Sequence, residues 1–207
     1  RGKRISMIFQ EPMTSLNPVQ RCGSQVSEMI LTHQKSTRAE AKSRVIELFK
    51  RVELPRPEEI YKSYPHEISG GQKLRVMIAM AIACSPALNI AAEPTTALDV
   101  TVQKSSIELL KDLCAEYNSG LIFITHDLGV IGEIADRIMV LYQGEVVEEG
   151  NVARILAQPE KPYTKALLAC RPKLDNNPVR LPTVSDFVEE TKSHIKALPA
   201  KGKNRTE

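Results

Sequence analysis

Three polar side chains follow strand-like apolar runs, and their chemistry could act on water and phosphate. Glu93 comes after one run and can orient an attacking water or accept its proton. His126 follows another and could hydrogen-bond a terminal phosphate, while Gln10 offers an amide to a metal-bound water. Since active sites of α/β sheets lie at the carboxyl ends of the strands, we expect these residues to share one edge.

Each of these residues is a weak indication when it is taken alone. A glutamate at a strand end is about as often an ordinary surface residue, and a lone histidine is more often structural. Gln10 by itself indicates almost nothing. The pairing of Glu93 with His126 at the ends of two predicted strands is what favours a functional interpretation.

The segment Ile68–Gln72 (Ile-Ser-Gly-Gly-Gln) predicts a phosphate clamp at the start of a helix. Ser69 and Gln72 have the spacing of a helix N-cap and its reciprocal partner. Gly70 and Gly71 would let an anion approach the backbone, and the helix N-terminus adds N–H donors and a partial positive charge. The alternative is an ordinary glycine-containing turn before a buried helix.

Strands alternate with helices along the chain, which predicts an α/β sheet with crossover connections. Gln143-Gly144 supplies a hairpin turn. Thr37 and Glu40 have capping-box spacing at the start of one helix. Another helix is expected over Val102–Tyr117, with Gly120 just past its end. The predicted strands are Ile5–Phe9, Leu88–Ala91, Leu121–Thr125, Ile138–Tyr142 and Glu145–Glu149.

Four segments make up the predicted organisation of the chain. Residues 1–19 begin the core, and residues 20–87 hold no convincing strand and are interpreted as a helical insertion. Residues 88–160 continue the core, and residues 161–207 form a C-terminal extension. Few large apolar residues follow position 172, and the Lys-rich end beyond about residue 190 is expected to be a loose tail.

Composition excludes several classes of protein. The 207 residues are 42% hydrophobic and 26% charged, which is typical of a globular protein, and the net charge of +3 gives no argument for nucleic-acid binding. The four cysteines contain no C-x-x-C pair, which argues against a zinc site or a disulfide framework and fits a reducing cytosol. No apolar run is long enough to span a membrane.

Taken in order, these motifs resemble the ATP-binding-cassette (ABC) ATPase family over roughly residues 1–170. Ile68–Gln72 is similar to the family's signature motif, and Ala91–Pro94 to its Walker B strand. Thr96–Asp99 is similar to the D-loop, His126 to the switch histidine and Gln10 to the Q-loop glutamine. Segments similar to the oligopeptide/dipeptide importer branch are Gln10–Pro18, Glu93–Gln103 and Pro162-Tyr163-Thr164.

The resemblance implies a P-loop NTPase-type ABC ATPase core with a helical insertion subdomain and a C-terminal extension. It further implies that two subunits enclose two ATP molecules with Mg²⁺. Glu93 would then be the general base, with His126 and Gln10 near the terminal phosphate and Gln10 also a Mg²⁺ ligand. The D-loop would contribute Asp99. The signature residues, which would contact the ATP of the other subunit, are Ser69, Gly70, Gly71 and Gln72.

The resemblance also implies partners and a location. The partners are a second ABC ATPase subunit, in a homo- or heterodimer, the transmembrane permease subunits and, indirectly, a solute-binding protein. The location is peripheral, on the cytoplasmic face of the cell membrane. Importers of this branch often carry a cysteine cluster in the C-terminal extension, where this chain has only Cys170, so we expect no iron–sulfur cluster.

Several positions depart from the family pattern. No G-x-x-x-x-G-K-[ST] occurs, so we expect the chain to be truncated, with its phosphate-binding loop upstream of Arg1, and to be inactive alone. Ala92 stands where an aspartate usually helps to hold Mg²⁺. Asn89 interrupts the apolar run of the same strand, and Leu74 stands where a glutamine is common.

Three functional hypotheses follow from these observations. The leading one is the ATP-binding subunit of an importer of peptides or related solutes. The second is a catalytically degenerate cassette, impaired by Ala92, which supplies its signature motif to a partner subunit. The third is a soluble ABC protein with no role in transport, against which the importer-like segments argue.

Overall fold

The computed structural model describes residues 2–10, 12–94 and 99–170, apart from the side chains of residues 12, 13 and 100. The predicted loop over residues 95–98 and the predicted extension beyond residue 170 lie outside the described residues. The chain forms two compact units, Arg1–His126 and Asp127–Glu207. The predicted four-segment division stays a prediction.

The first unit contains three strands and six helices among its described residues. Its elements in chain order are β1 (Ile5–Ile8), α1 (Pro12–Ser15), α2 (Cys22–His33), α3 (Arg38–Arg51), α4 (Pro57–Lys62), a 3₁₀ turn (Pro65–Glu67), α5 (Gly70–Ile82), β2 (Leu88–Ala92), α6 (Val100–Glu116) and β3 (Gly120–Ile124). The described residues between 20 and 87 contain no strand, as the sequence predicts.

A three-stranded parallel sheet runs in the order β1-β2-β3, so β2 lies in the middle. Ile8 is paired with Ala91, and Ala91 with Phe123, so the strands start and end nearly level. One face of the sheet buries Ile8 and Ala91 against the helices. On the other face Met7 and Ile122 are about half exposed.

The helices of residues 20–87 share one apolar core, to which α2, α3 and α5 each contribute. Val26, Val45 and Phe49 are completely buried there. The capping box predicted at Thr37 and Glu40 is present: the Thr37 side chain accepts from the Glu40 backbone, and the Glu40 carboxylate accepts from the Thr37 backbone. Two donors at the helix start, which would otherwise have no partner, are thereby satisfied.

The predicted stop of the helix before β3 is wrong in one detail. Gly120 is the first residue of β3, and the left-handed residue that ends α6 is Asn118, with φ +49°. The backbone of Ser119 donates to the carbonyl of Cys114 and completes the stop. Asparagine tolerates this conformation better than other non-glycine residues do, so the glycine is not needed for it.

The second unit is built on an antiparallel hairpin. Its described elements are α7 (Leu128–Ile134), β4 (Arg137–Tyr142), β5 (Glu145–Asn151), α8 (Val152–Ala157) and α9 (Pro162–Ala169). Gln143 and Gly144, the predicted turn, both have positive φ, +49° and +85°. Positive φ at both central residues is typical of the type I′ turn, whose twist matches that of paired strands.

A buried carboxylate in β5 holds the chain just before α9. Glu148 is 5% exposed, and its two oxygens accept from the backbone of Glu160 (3.0 Å) and Lys161 (3.2 Å). Burial alone would raise the pKa of this carboxyl, but the backbone donors and Arg154 outweigh burial and hold the pKa below its ordinary value. Glu148 therefore positions the start of the Pro162-Tyr163-Thr164 segment.

No helix in the described part of the chain has both the length and the apolar character needed to cross a membrane.

Asn89 is a buried amide in the central strand. It is fully buried, and its Nδ2 donates to the hydroxyl of Ser119 at 2.8 Å, but its Oδ1 has no hydrogen-bond partner. A buried acceptor without a partner costs about 1–3 kcal/mol. Only one of the two polar atoms of this amide therefore has a partner.

We expect Asn89→Val to raise the free energy of unfolding by about 1 kcal/mol, because it removes the unpaired oxygen and puts a β-branched side chain into a strand. Urea unfolding followed by circular dichroism measures the change. Asn89→Ala is the control: it also removes the amide but leaves a cavity, and should destabilise the fold. A loss of stability in the valine variant would show that the amide is better satisfied than its contacts indicate.

Glu148→Gln should lower the free energy of unfolding at pH 7 by about 1–3 kcal/mol, since a charged acceptor is lost from two backbone donors. In the unfolded chain the pKa of Glu148 is near its ordinary value of 4.5, and in the folded protein it is lower. Its stabilisation is therefore present above that value and lost as the pH falls through the folded pKa. The parent protein and the Glu148→Gln variant should therefore have similar free energies of unfolding in acid. An equal difference between them at pH 7 and at pH 3 would contradict the stabilising role of the Glu148 carboxylate.

Candidate functional site

The carboxyl edge of the parallel sheet gathers the three residues predicted from strand ends. Gln10 lies two residues after β1, Glu93 directly after β2, and His126 two residues after β3. Because β2 is the middle strand, Glu93 lies between the other two residues. The expectation of a shared edge is thus met by their positions in the structure.

Glu93 is the centre of this cluster. One of its oxygens, Oε2, accepts from Nε2 of Gln10 at 2.8 Å, and the other, Oε1, lies 3.2 Å from Nδ1 of His126. For that second contact to be a hydrogen bond, Nδ1 must carry the proton, which leaves Nε2 of the ring for another partner. A carboxylate held at both oxygens has a fixed direction, as a group that orients water requires.

Exposure differs strongly across the cluster. The Glu93 side chain is 27% exposed, whereas that of His126 is 74% exposed. An ion pair with so exposed a partner adds little to the stability of the fold. The contact between His126 and Glu93 therefore matters mainly for orientation, and the exposed imidazole is accessible to a ligand at this edge.

The backbone at Glu93 is in the left-handed region. Its φ is +43°, and its N–H donates to the carbonyl of Ile124, the last residue of β3, at 2.9 Å. A residue with a Cβ costs about 1–2 kcal/mol in this conformation, and such costs are concentrated at functional sites. The turn redirects the chain at the end of β2 and places the carboxylate between Gln10 and His126.

Ala92, the last residue of β2, is adjacent to this carboxylate. It is half-buried, pairs with Ile124 in the strand register and presents only a methyl group. Within the described ranges no group of three or more His, Cys, Asp or Glu side chains could hold a metal ion. The protein thus offers Gln10 and Glu93 at this edge but no carboxylate at position 92.

The predicted phosphate clamp begins a separate element, helix α5. Ser69 is its N-cap: the Ser69 hydroxyl accepts from the backbone of Gln72 at 3.3 Å, and the Gln72 side chain accepts from the backbone of Ser69 at 2.9 Å. The capping box is therefore present as predicted. The backbone N–H groups of Gly70 and Gly71 belong to the first turn, whose donors lack partners within a helix and favour anions.

Asp99 is at the N-cap position of α6 and is exposed, and its side chain makes no capping hydrogen bond. It is the only residue of the predicted D-loop, Thr96–Asp99, within the described part of the chain. The sequence motifs do not indicate that Glu93 bonds both Gln10 and His126 directly. That result depends on the strand order, for which the motifs carry no signal.

Comparison with known proteins places these features in a wider context. The ABC transporter family model matches residues 1–96. The oligopeptide transport ATP-binding protein AppD of Bacillus subtilis (strain 168) is 49% identical over 188 residues, 91% of this chain and 57% of AppD. The glutathione import ATP-binding protein GsiA of Escherichia coli (strain K12) is 51% identical over 190 residues, 89% of this chain and 30% of GsiA. The chain thus spans little more than half of AppD and less than a third of GsiA.

Solved structures give the same result for the fold. The dimeric ATP-binding cassette MJ0796, in a post-hydrolysis state bound to ADP and Pi, superposes with a TM-score of 0.64 at 31% identity, over 73% of this chain and 64% of that one. CbiO1 of Clostridium perfringens, part of the transporter complex CbiONQ, superposes with a TM-score of 0.65 at 28% identity, over 75% of this chain and 60% of that one. These similarities confirm the predicted fold class.

Proposed function

Because the chain belongs to the ABC transporter family and carries part of its ATPase cassette, we propose that it is the ATP-binding subunit of an importer that couples ATP hydrolysis to the uptake of peptides or related solutes. The observation that carries the proposal is Glu93, bonded to Gln10 and His126 at the carboxyl edge of the sheet. The names of its relatives, for oligopeptide transport and glutathione import, support the class of solute.

In this proposal Glu93 acts on the water that attacks the terminal phosphate of ATP. Its carboxylate orients that water and accepts its proton, a role that requires a positioned base near the nucleophile. His126 holds one carboxylate oxygen through Nδ1 and presents its exposed ring to the phosphate. Gln10 holds the other oxygen through its amide nitrogen and keeps its amide oxygen for a metal ion or water.

The donor set at this edge does not form a magnesium site by itself. Magnesium prefers octahedral oxygen ligation, with one or two carboxylates, phosphate oxygens and water. Ala92 supplies no ligand, and Gln10 supplies a neutral amide oxygen. Mg²⁺ bound with ATP would therefore depend on the phosphates more than on this chain.

We also propose a second ABC ATPase subunit and transmembrane permease subunits as partners, on the cytoplasmic face of the membrane. The signature segment Ser69–Gln72 begins a helix of its own and would contact the ATP of the second subunit. MJ0796, which superposes on this chain, is a dimeric cassette. A solute-binding protein would act indirectly, through the permease.

A second candidate function rests on Ala92. In a degenerate cassette the site built on Glu93 is impaired by the missing carboxylate, while Ser69–Gln72 still serves the partner's ATP. The capping box that shapes the signature turn is intact in this chain. The two candidates differ in whether the site at Glu93 hydrolyses ATP.

Glu93→Gln tests the leading proposal in the full-length subunit within its transport complex. Glutamine keeps the shape of the side chain but replaces one accepting oxygen with an amide donor and cannot accept the proton, so ATP should still bind while single-turnover hydrolysis slows by at least about 10²-fold. Glu108→Gln, an exposed glutamate on α6, is the matched control and should leave the rate unchanged. Hydrolysis within a few-fold of the parent rate in the Glu93 variant would show that Glu93 is not the base.

Ala92→Asp distinguishes the two candidate functions. The new carboxylate should strengthen Mg²⁺ at this edge and raise Mg-dependent ATP hydrolysis by about tenfold or more. Steady-state ATPase rates measured against Mg²⁺ concentration give the answer, with Ala92→Asn as a control that adds the same volume without charge. If the curves of the aspartate variant and the parent coincide, Ala92 is harmless and the degenerate cassette is rejected.

A further inference from the structure

Gly71 is a glycine that its backbone conformation does not require. It lies in the first turn of α5, and it is not among the residues with positive φ. A glycine with ordinary helical geometry disfavours the helix relative to alanine, because it loses more conformational freedom on folding. Its presence at this position therefore needs another cause: either a neighbouring side chain leaves no space for a Cβ, or a ligand must approach the backbone there.

The structure supplies a cause in the neighbouring helix. A Cβ built on Gly71 would lie 2.8 Å from Cγ1 of Val102, in the first turn of α6, and real Cβ atoms do not approach another atom so closely. The valine cannot easily turn away, since a β-branched side chain in a helix has one strongly preferred rotamer. The backbone of the first turn of α5 thus packs directly against the Val102 side chain.

This contact is one end of a longer seam between the two helices. Further along, Leu74 and Ile78 of α5 face Ile107 and Leu110 of α6 around a small apolar gap that has no room for water. All four side chains are at most 5% exposed. The seam fixes α5 along its length, and the contact between Gly71 and Val102 sets its distance from α6 at the end that carries the signature segment.

The same gap adjoins the cluster around Glu93. Ile8 and Pro94 also line it, and they lie two residues before Gln10 and one residue after Glu93. The side chains that pack α5 against α6 therefore also contact residues next to the strand ends. A change in the spacing between α5 and α6 would move the signature segment relative to those strand ends.

We propose that Val102 is a positioning residue, which fixes the first turn of α5 and hence the signature segment Ser69–Gln72. The proposal rests on the proposed function, in which that segment contacts the ATP held by a second subunit. Val102 itself acts only through Gly71. Since a misplacement of about 1 Å can cost a reaction on the order of 10²-fold in rate, the seating of this turn controls hydrolysis at the partner's ATP.

An alternative explanation of Gly71 is that the nucleotide itself must approach the backbone there. The two explanations differ in what restores activity after a methyl group is added. If Val102 is the obstacle, shortening Val102 makes room for the methyl group. If the nucleotide is the obstacle, shortening Val102 changes nothing at the phosphate.

The experiment compares Gly71→Ala, Val102→Ala and the double variant in the full-length subunit within its transport complex. Gly71→Ala should lower kcat for ATP by about tenfold or more with a smaller change in KM. The double variant should regain most of that loss and have about the kcat of Val102→Ala alone. Gly132→Ala is the matched control: it adds the same methyl group to another helical glycine, where the nearest side-chain atom is at an ordinary 3.4 Å, and it should leave kcat unchanged.

Two results would overturn the proposal. If the double variant is as slow as Gly71→Ala, the glycine serves the nucleotide and Val102 does not position it. If Gly71→Ala lowers the unfolding temperature but leaves kcat unchanged, the contact is structural only. The proposed function fails separately, through the result for Glu93→Gln, which does not involve Val102.

A second pair of variants applies if Gly71→Ala does not fold. Val102→Ala opens a gap beneath Gly71 and should lower kcat by about threefold or more, whereas Val102→Thr keeps the branched shape and should not. Equal kcat values in these two variants would also overturn the proposal.

Discussion

The parallel pairing of β2 between β1 and β3 is the constraint on which the candidate site depends. Parallel strands in one sheet end at the same edge, and the order β1-β2-β3 puts the end of β2 in the middle. Glu93 can therefore bond Gln10 on one side and His126 on the other, although these residues are 83 and 33 positions away in the chain. With β2 at either side of the sheet, Glu93 could not lie between them.

Three residues lower the stability of the fold. Glu93 is in a left-handed conformation that disfavours a side chain, Asn89 keeps an unpaired oxygen in the core, and Gly71 weakens the helix in which it lies. Two of these residues, Glu93 and Gly71, are ones that the sequence assigns to chemistry. Asn89 lies in the strand that ends at Glu93, and nothing in the structure explains why an amide occupies that position.

The two candidate functions differ in the effect that they assign to one residue, Ala92. Ala92 removes a carboxylate beside Glu93, whereas the capping box at Ser69 and Gln72 is intact. In the proposed function, the signature segment therefore keeps the local structure assigned to it, whereas the strand ends lack the carboxylate that the family pattern places at position 92. Such a division would make the two sites of a dimer unequal if the partner subunit retains the aspartate.

Local structure followed from the sequence because its causes are local. The capping boxes at Thr37 and Ser69 and the turn at Gln143-Gly144 each depend on a few adjacent residues, and each occurs as predicted, with strand bounds within two residues. The edge shared by Gln10, Glu93 and His126 also followed, since residues after parallel strands must meet there. Only the tertiary structure decided the order of the strands, the stop of α6 at Asn118 and the contact of Gly71 with Val102. The strand order and the glycine contact join segments that are far apart in the chain. The end of α6 depended on whether Asn118 or Gly120 took the left-handed conformation before β3, and both residue types tolerate it.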